Sequence, residues 1–122
     1  MLNVKHRLKK RKSFAYIHRR GRHIGNDVLS MVYVDAKSKT AKIGFSVSKK
    51  VGNSVVRHRA IRKMRHSLRE IIATVPANYN AIFIAKENIH NRHNDEIVRA
   101  MQNCIARSQK AGINSAKSAA TK

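Results

Sequence analysis

Across Gly52 the apolar residues change their spacing, and that change constrains the fold more than any other feature of the chain. Before it, residues 42–48 (KIGFSVS) place Ile43, Phe45 and Val47 at every second position, the period of a half-buried strand. After it, Ile61, Met64, Leu68, Ile71 and Ile72 fall within one sector of a helix. Asn53 or Ser54 is the predicted N-cap of that helix, which runs to about Thr74 and is ended by Pro76. Its other side carries His58, Arg59, Arg62, Arg65, His66 and Arg69. The wet face of an amphipathic helix is thus almost uniformly cationic.

The flanking segments complete an order α-β-β-α-β-α. Residues 1–12 hold seven Lys, Arg or His side chains and are expected to form a flexible or late-ordering basic arm. Residues 13–20 read as a short helix with Phe14 and Ile17 or His18 on one face, stopped by Gly21. Residues 28–34 (VLSMVYV) are strand-like, and 35–39 (DAKSK) are turn material. That strand and the one at 42–48 are predicted to pair as an antiparallel hairpin, with room for an extra edge strand at 22–26. Tyr79–Ala85 (YNAIFIA) is the nearly unbroken apolar run of a central strand covered on both faces. Asn94 is the predicted cap of a last helix, with Asp95 and Glu96 where the dipole favours acids. Ile97, Met101, Cys104 and Ile105 make its buried stripe. Residues 1–110 form one domain, and 111–122, rich in Ser, Ala and Lys, are expected to be a disordered basic tail.

A chain of 122 residues with 42% hydrophobic content can bury a modest core. Its 27 Lys and Arg against 6 acids give a formal charge of +21, which favours a polyanionic partner. A merely solvated helix face alternates its signs, but here Glu70 stands alone against five Arg or Lys between positions 57 and 65. Like charges at that spacing cost a few tenths of a kcal/mol per pair unless an anion offsets them. RNA or DNA is the expected anion. Gly52, Asn53 and Ser54 add backbone N–H groups that suit phosphate. No apolar run approaches the roughly 18 residues needed to cross a bilayer, and the basic N-terminus lacks a signal peptide's apolar core. A cytoplasmic location is the expectation. Cys104 is the single cysteine, so neither an internal disulfide nor a thiolate zinc site is expected.

Phosphodiester hydrolysis by protein groups calls for clustered carboxylates that hold metal ions, or a placed general base. The six acids are Asp27, Asp35, Glu70, Glu87, Asp95 and Glu96, and no pair shows metal-ligand spacing. Capping accounts for Asp95 and Glu96, a turn for Asp35, and neighbouring arginines for Glu70. No catalytic residue and no metal ligand is assigned to the chain. His90 and His93 sit in a polar loop as surface groups. Phe14, Tyr16, Tyr33, Phe45, Tyr79 and Phe83 all stand where core packing explains them. Phe45 and Phe83 are assigned to the core, and Phe14 is open between core and base stacking. The side of its strand that Tyr33 faces is open too.

These motifs resemble the protein subunit of bacterial ribonuclease P. Arg7-Leu8-Lys9-Lys10 with Phe14 matches the family's N-terminal RL(K)K…F segment. Gly44-Phe45-Ser46-Val47-Ser48-Lys49-Lys50 matches its strand ending G-x-S/T-V-x-K-K, and residues 52–55 match its G-N-(A/S)-V turn. Arg57, His58, Arg59, Arg62 and Arg65 follow its R-N-R-x-x-R-x-x-R helix, and Ala85-Lys86 its later strand end. The pattern departs at His58 and Ile61, where the family commonly has Asn and Lys, and at His18, where an aromatic is common.

The resemblance implies an α+β fold, a two-layer α-β sandwich with a central mixed sheet of about four strands and three helices. It resembles a ribosomal protein domain and implies a left-handed βαβ crossover, where the general rule favours the right hand. It implies a ribonucleoprotein that removes the 5′ leader of precursor tRNA, with Mg²⁺-dependent catalysis in the RNA subunit and Mg²⁺ held mainly there. The implied partners are the catalytic RNA and precursor tRNA, with no membrane and no required protein partner. By carry-over and helix position, Lys49, Lys50, Asn53, Arg57, His58, Arg59, Arg62, Lys63, Arg65 and Arg69 face RNA. Phe14, His18 and Val32 are the leader-cleft candidates. The alternative is a small basic ribosomal protein or a general RNA-binding module.

Overall fold

A computed structural model describes the backbone of residues 6–121 apart from 9, 37, 38 and 88, and side chains up to Lys110 except that of His90. Helix α1 (Arg11–Arg20) is followed by β1 (Arg22–Gly25), β2 (Leu29–Asp35) and β3 (Lys42–Ser46). Helix α2 (Ser54–Ile71), β4 (Tyr79–Ala85) and α3 (Asn94–Thr121) complete the order. Short 3-10 turns at Lys49–Val51 and Ile72–Thr74 flank α2, and a third at Ile89–Asn91 precedes α3.

The sheet has the order β1-β2-β4-β3, with β3 parallel to β4 and the other pairs antiparallel. The expected hairpin of β2 with β3 is therefore wrong, because β4 lies between them. The reason is two-sided hydrophobicity. Ala81, Ile82 and Phe83 of β4 are all fully buried, and a central seat is the only one that covers both faces. Strand β3 alternates Ile43 and Phe45 with Lys42, Gly44 and Ser46, so it tolerates an edge. Helix α2 then makes the crossover that two parallel strands require. The extra edge strand is present as β1.

Alternation splits the sheet into two unlike faces. Met31, Tyr33, Ile43, Ala81 and Phe83 lie under α2 and α3. Helix α2 buries Ala60, Met64, Ser67, Leu68 and Ile71, and each large apolar group there contributes about 1.5–3 kcal/mol. The α3 stripe of Ile97, Met101, Cys104 and Ile105 is buried as expected. Tyr33 proves to face this core, its ring centroid 5.0 Å from that of Tyr79, and burial raises its phenol pKa. Asn26 ties α3 to the sheet: its Oδ1 accepts from the amides of Val28 and Leu29, and its Nδ2 donates to Ala100 O at 3.0 Å.

On the opposite face Val32, Ile82 and Gly44 form one row across the strands. Helix α1 crosses that row. Ile17 packs on Val32 and Ile82, and the Phe14 ring lies over Gly44, where a Cβ would collide with it. Glycine at 44 is what allows this close approach.

Both chain ends carry backbone structure among the described residues. The described part of the basic arm is docked, with Leu8 buried, its amide donating to Ile43 O at 3.0 Å, and Arg7 bridging Ile43. His6 Nδ1 lies 2.9 Å from Ala41 O. An edge strand offers backbone groups that a neighbouring segment can pair with, and the arm takes that place on β3. Residues 1–5 and 9 lie outside the described residues. At the other end α3 continues to Thr121, into the stretch expected to be disordered. Elongating a helix already nucleated on the core is cheap, and the alanines at 111, 116, 119 and 120 favour it. Lys122 is outside the described residues.

Candidate RNA interface

The interface begins where β3 ends. Lys49 and Lys50 are exposed on a 3-10 turn anchored by buried Val51. Gly52 follows at φ 155°, a conformation essentially restricted to glycine, and an added Cβ would press on Val56. Asn53 is the N-cap, accepting from the Val56 amide through Oδ1 at 3.0 Å. Its oxygen is thus committed to the start of the helix.

At about 100° per residue His58, Arg62, Arg65 and Arg69 fall on one stripe of α2, with Arg59 and His66 beside it. His58, Arg59, Arg62, His66 and Arg69 are exposed, while Arg65 is half-buried. Arg57 is half-buried on the sheet side, with its Nε shielded and unpartnered. Lys63 lies off that stripe, about 140° round the helix from His58. Position 63 turns toward the segment that leads into α3, where Lys63 Nζ donates to Arg92 O at 3.3 Å, beside Ser67 Oγ donating to Asn94 Oδ1. Glu70 stands 3.7 Å from His66 rather than against an arginine as expected. With side chains 61% and 53% exposed, that pair is weak and leaves the arginines uncompensated.

A second surface lies on the α1 face. Beside the row that α1 covers, Gly25, Ser30, Ile84 and Ser46 form the next row across all four strands. Ser30, Ile84 and Ser46 are half-buried, so small side chains leave an open floor. At the carboxyl ends of β3 and β4 a depression of about 510 Å³ is lined by Ser48, Lys50, Ala85, Lys86 and Glu87. Lys86 leans toward the floor, since a Cβ on Gly25 would stand 3.8 Å from its Nζ.

The sequence-predicted cleft residues fare unequally. Phe14 is half-buried on the sheet, and His18 is exposed one helical turn later. Val32 is fully buried between Ile17 and Ile82, so it supports the floor from within and cannot touch a ligand. Alternation alone could not show which part of a two-faced strand α1 would cover. Tyr16, expected in the core, is 50% exposed, because two residues along a helix from Phe14 is nearly the opposite side. Lys86 and Ile84 were not singled out as site residues. The available signal was a lysine at the end of a central strand.

Among the described residues, no group of three or more His, Cys, Asp or Glu side chains is placed to hold a metal ion. Burial pushes the Cys104 thiol up to about 11, which keeps it protonated at neutral pH. No helix among the described residues is long and apolar enough to cross a membrane.

Residues 2–109 match the family model described as Ribonuclease P. The chain belongs to the ribonuclease P protein family. A ribonuclease P protein component from Alkaliphilus metalliredigens is 36% identical over 99 residues, covering 81% of this chain and 89% of the relative. Another from Clostridium beijerinckii is 36% identical over 115 residues, covering 88% and 90%. The Staphylococcus aureus RNase P protein structure aligns with a TM-score of 0.74 at 24% identity, over 84% of this chain and 94% of that one. The RNase P protein of Thermotoga maritima gives 0.75 at 18% identity, over 83% and 96%. At those identities the structures speak for the fold, one mixed four-stranded sheet with three helices, which the ribonuclease P protein family shares with this chain.

Proposed function

We propose that this chain is the protein subunit of a ribonuclease P holoenzyme and assists removal of the 5′ leader from precursor tRNA. The observation that carries the reading is the placement of two RNA-suited surfaces on one rigid sheet. The cationic stripe of exposed His58, Arg62 and Arg69 and half-buried Arg65, with Arg59 beside it, stands on the α2 side, and the cleft beside α1 opens on the other face. The stripe holds the catalytic RNA, with Lys49, Lys50, Asn53 and Arg57 at its start. The cleft holds the single-stranded leader, with Phe14 and His18 on its helix side.

Hydrolysis belongs to the RNA in this reading. Mg²⁺ bound mainly by the RNA subunit supplies the metal chemistry, leaving a 5′-phosphate on the tRNA. The scattered acids agree with that division: Glu96 is held 2.9 Å from Arg92 and Glu70 lies beside His66. The protein contributes differential binding. Leader contacts favour precursor over product, because the product has lost the leader. The protein's positive charge also offsets repulsion between two polyanions and lets Mg²⁺ sites fill at lower free Mg²⁺. With about five phosphates contacted, affinity falls with a log–log salt slope of roughly −3 to −5.

The test is precursor-tRNA cleavage at low Mg²⁺ by a bacterial ribonuclease P RNA, with and without this protein. Protein-dependent release of an intact leader and a 5′-phosphorylated tRNA, with no activity from protein alone, is the expected result. A competent RNA that the protein does not stimulate would overturn the reading.

A further inference from the structure

Two arginines from distant parts of the chain meet at the outer edge of β3, and no acid lines the space between them. Arg7 is positioned by its bridge to Ile43, and Arg65 reaches the same place from α2. Between them lies a cavity of about 270 Å³ whose apolar walls include Phe14, Ile43, Phe45 and Ile61. The Nε of each arginine is shielded from solvent and has no hydrogen-bond partner.

That arrangement has two costs. Like charges repel across a low-dielectric gap, and a shielded donor without an acceptor forfeits its hydrogen bond. One anion accepting from both guanidinium groups removes both, and guanidinium geometry suits phosphate oxygens. A bare phosphate would leave the apolar walls uncovered, whereas a flat ring system would fill them. The volume is just below the usual range for ligand pockets, enough for one ring system and not for a duplex. A nucleotide combines a flat ring with a phosphate, and only an unpaired one has its base free.

We infer that this cavity takes a single unpaired RNA nucleotide, its base against Ile61, Phe14 and Phe45 and its phosphate between Arg7 and Arg65. The inference rests on the RNA-binding reading and sharpens it. Phe14 belongs to the α1 side and Arg65 to the arginine helix, so the cavity joins the two RNA surfaces around the edge of β3. It also makes the docked basic arm part of the interface, since Arg7 contributes only while its segment is paired with β3.

Two experiments on the full-length chain test this. In the first, the Ile61 methyl and Phe14 ring resonances are followed during titration with adenosine 5′-monophosphate and, at matched ionic strength, with ribose 5-phosphate. The nucleotide is expected to shift both saturably and ribose 5-phosphate to leave Ile61 unmoved. Arg7→Gln should weaken nucleotide binding at least about fivefold while other methyl resonances stay in place. Equal effects of the two ligands, or indifference to Arg7→Gln, would overturn the inference. In the second, Ile61→Cys provides a reactive thiol, because Cys104 is buried, and a photo-crosslinker is attached there. Crosslinks confined to one or two adjacent unpaired nucleotides support the cavity, and whether they fall in the catalytic RNA or in the precursor leader identifies the source. Crosslinks spread over paired and unpaired stretches overturn it, even where the holoenzyme cleaves normally. Failure of the unmodified protein to stimulate cleavage would instead strike the parent reading, and would leave the mononucleotide result standing.

Discussion

Among the described residues, the sheet face under α2 and α3 gathers twenty-two buried hydrophobic residues, whereas the face under α1 gathers Leu8, Ile17, Val32 and Ile82 alone. The same four strands supply both. The dense face has two long helices and closes almost completely. The sparse face has one short helix, which covers the Val32–Ile82–Gly44 row and leaves the Ser30–Ile84–Ser46 row half open. The contrast teaches that stability and recognition are divided between faces. A fully covered sheet would gain core and lose the cleft.

The largest expected difference is in stability. Phe83→Ala, on the dense face, should cost about 3–5 kcal/mol in chemical denaturation, and Ile17→Ala, beside the open row, should come nearer to 2. Equal losses would abolish the distinction between the faces. Next comes binding without stability. Arg59→Ala with Arg62→Ala should lower affinity for the catalytic RNA and flatten its salt slope by about 2, with stability unchanged within about 0.5 kcal/mol. An unaltered slope would take those two arginines off the interface.

Gly52→Ala probes the junction that aims the arginine helix. Its positive φ and the crowding of Val56 should cost about 1–3 kcal/mol in thermal or chemical denaturation. On the sparse face, Phe14→Ala should weaken precursor binding by about 1–3 kcal/mol if it stacks on a leader base, leaving mature tRNA affinity alone. Equal losses for both tRNAs would remove Phe14 from the leader site. A pH-dependent effect belongs to the dense face. Because burial raises the Cys104 pKa from 9.0 to about 11, the unfolded chain loses its thiol proton first as pH rises. The thiol's contribution is complete below about pH 9 and is lost toward pH 11, by no more than about 1.4 kcal/mol per pH unit. Comparing denaturation of the natural chain and Cys104→Ala across that range isolates it, and parallel pH curves would deny it.

Much of this was legible in the sequence. Helix α2 from its Asn53 cap and strand β4 at Tyr79–Ala85 follow from apolar period and capping, which are local signals. So does the cationic stripe, because residues at i+4 and i+7 share a helix face whatever the helix packs against. Asn94, the expected cap of α3, is its first helical residue and accepts from Ser67 instead. Lys63 shows the limit. It belongs to the same charge run as Arg62, yet its direction depends on where α3 lies. Val32 shows it again, because either face of β2 reads as apolar and only the path of α1 decides which part of it is closed.

By itself, then, the sequence determined the elements, the one-sided charge of α2 and the motifs shared with the ribonuclease P protein family. These depend on backbone geometry over a few residues, where spacing translates directly into direction. The tertiary structure alone decided that β4 inserts between β2 and β3, that the basic arm pairs with the edge this leaves, and that Arg7 meets Arg65 across an apolar cavity. Those outcomes are set by competition for burial among segments far apart in the chain. Local spacing carries no record of which strand wins the centre of a sheet and which is left at its edge.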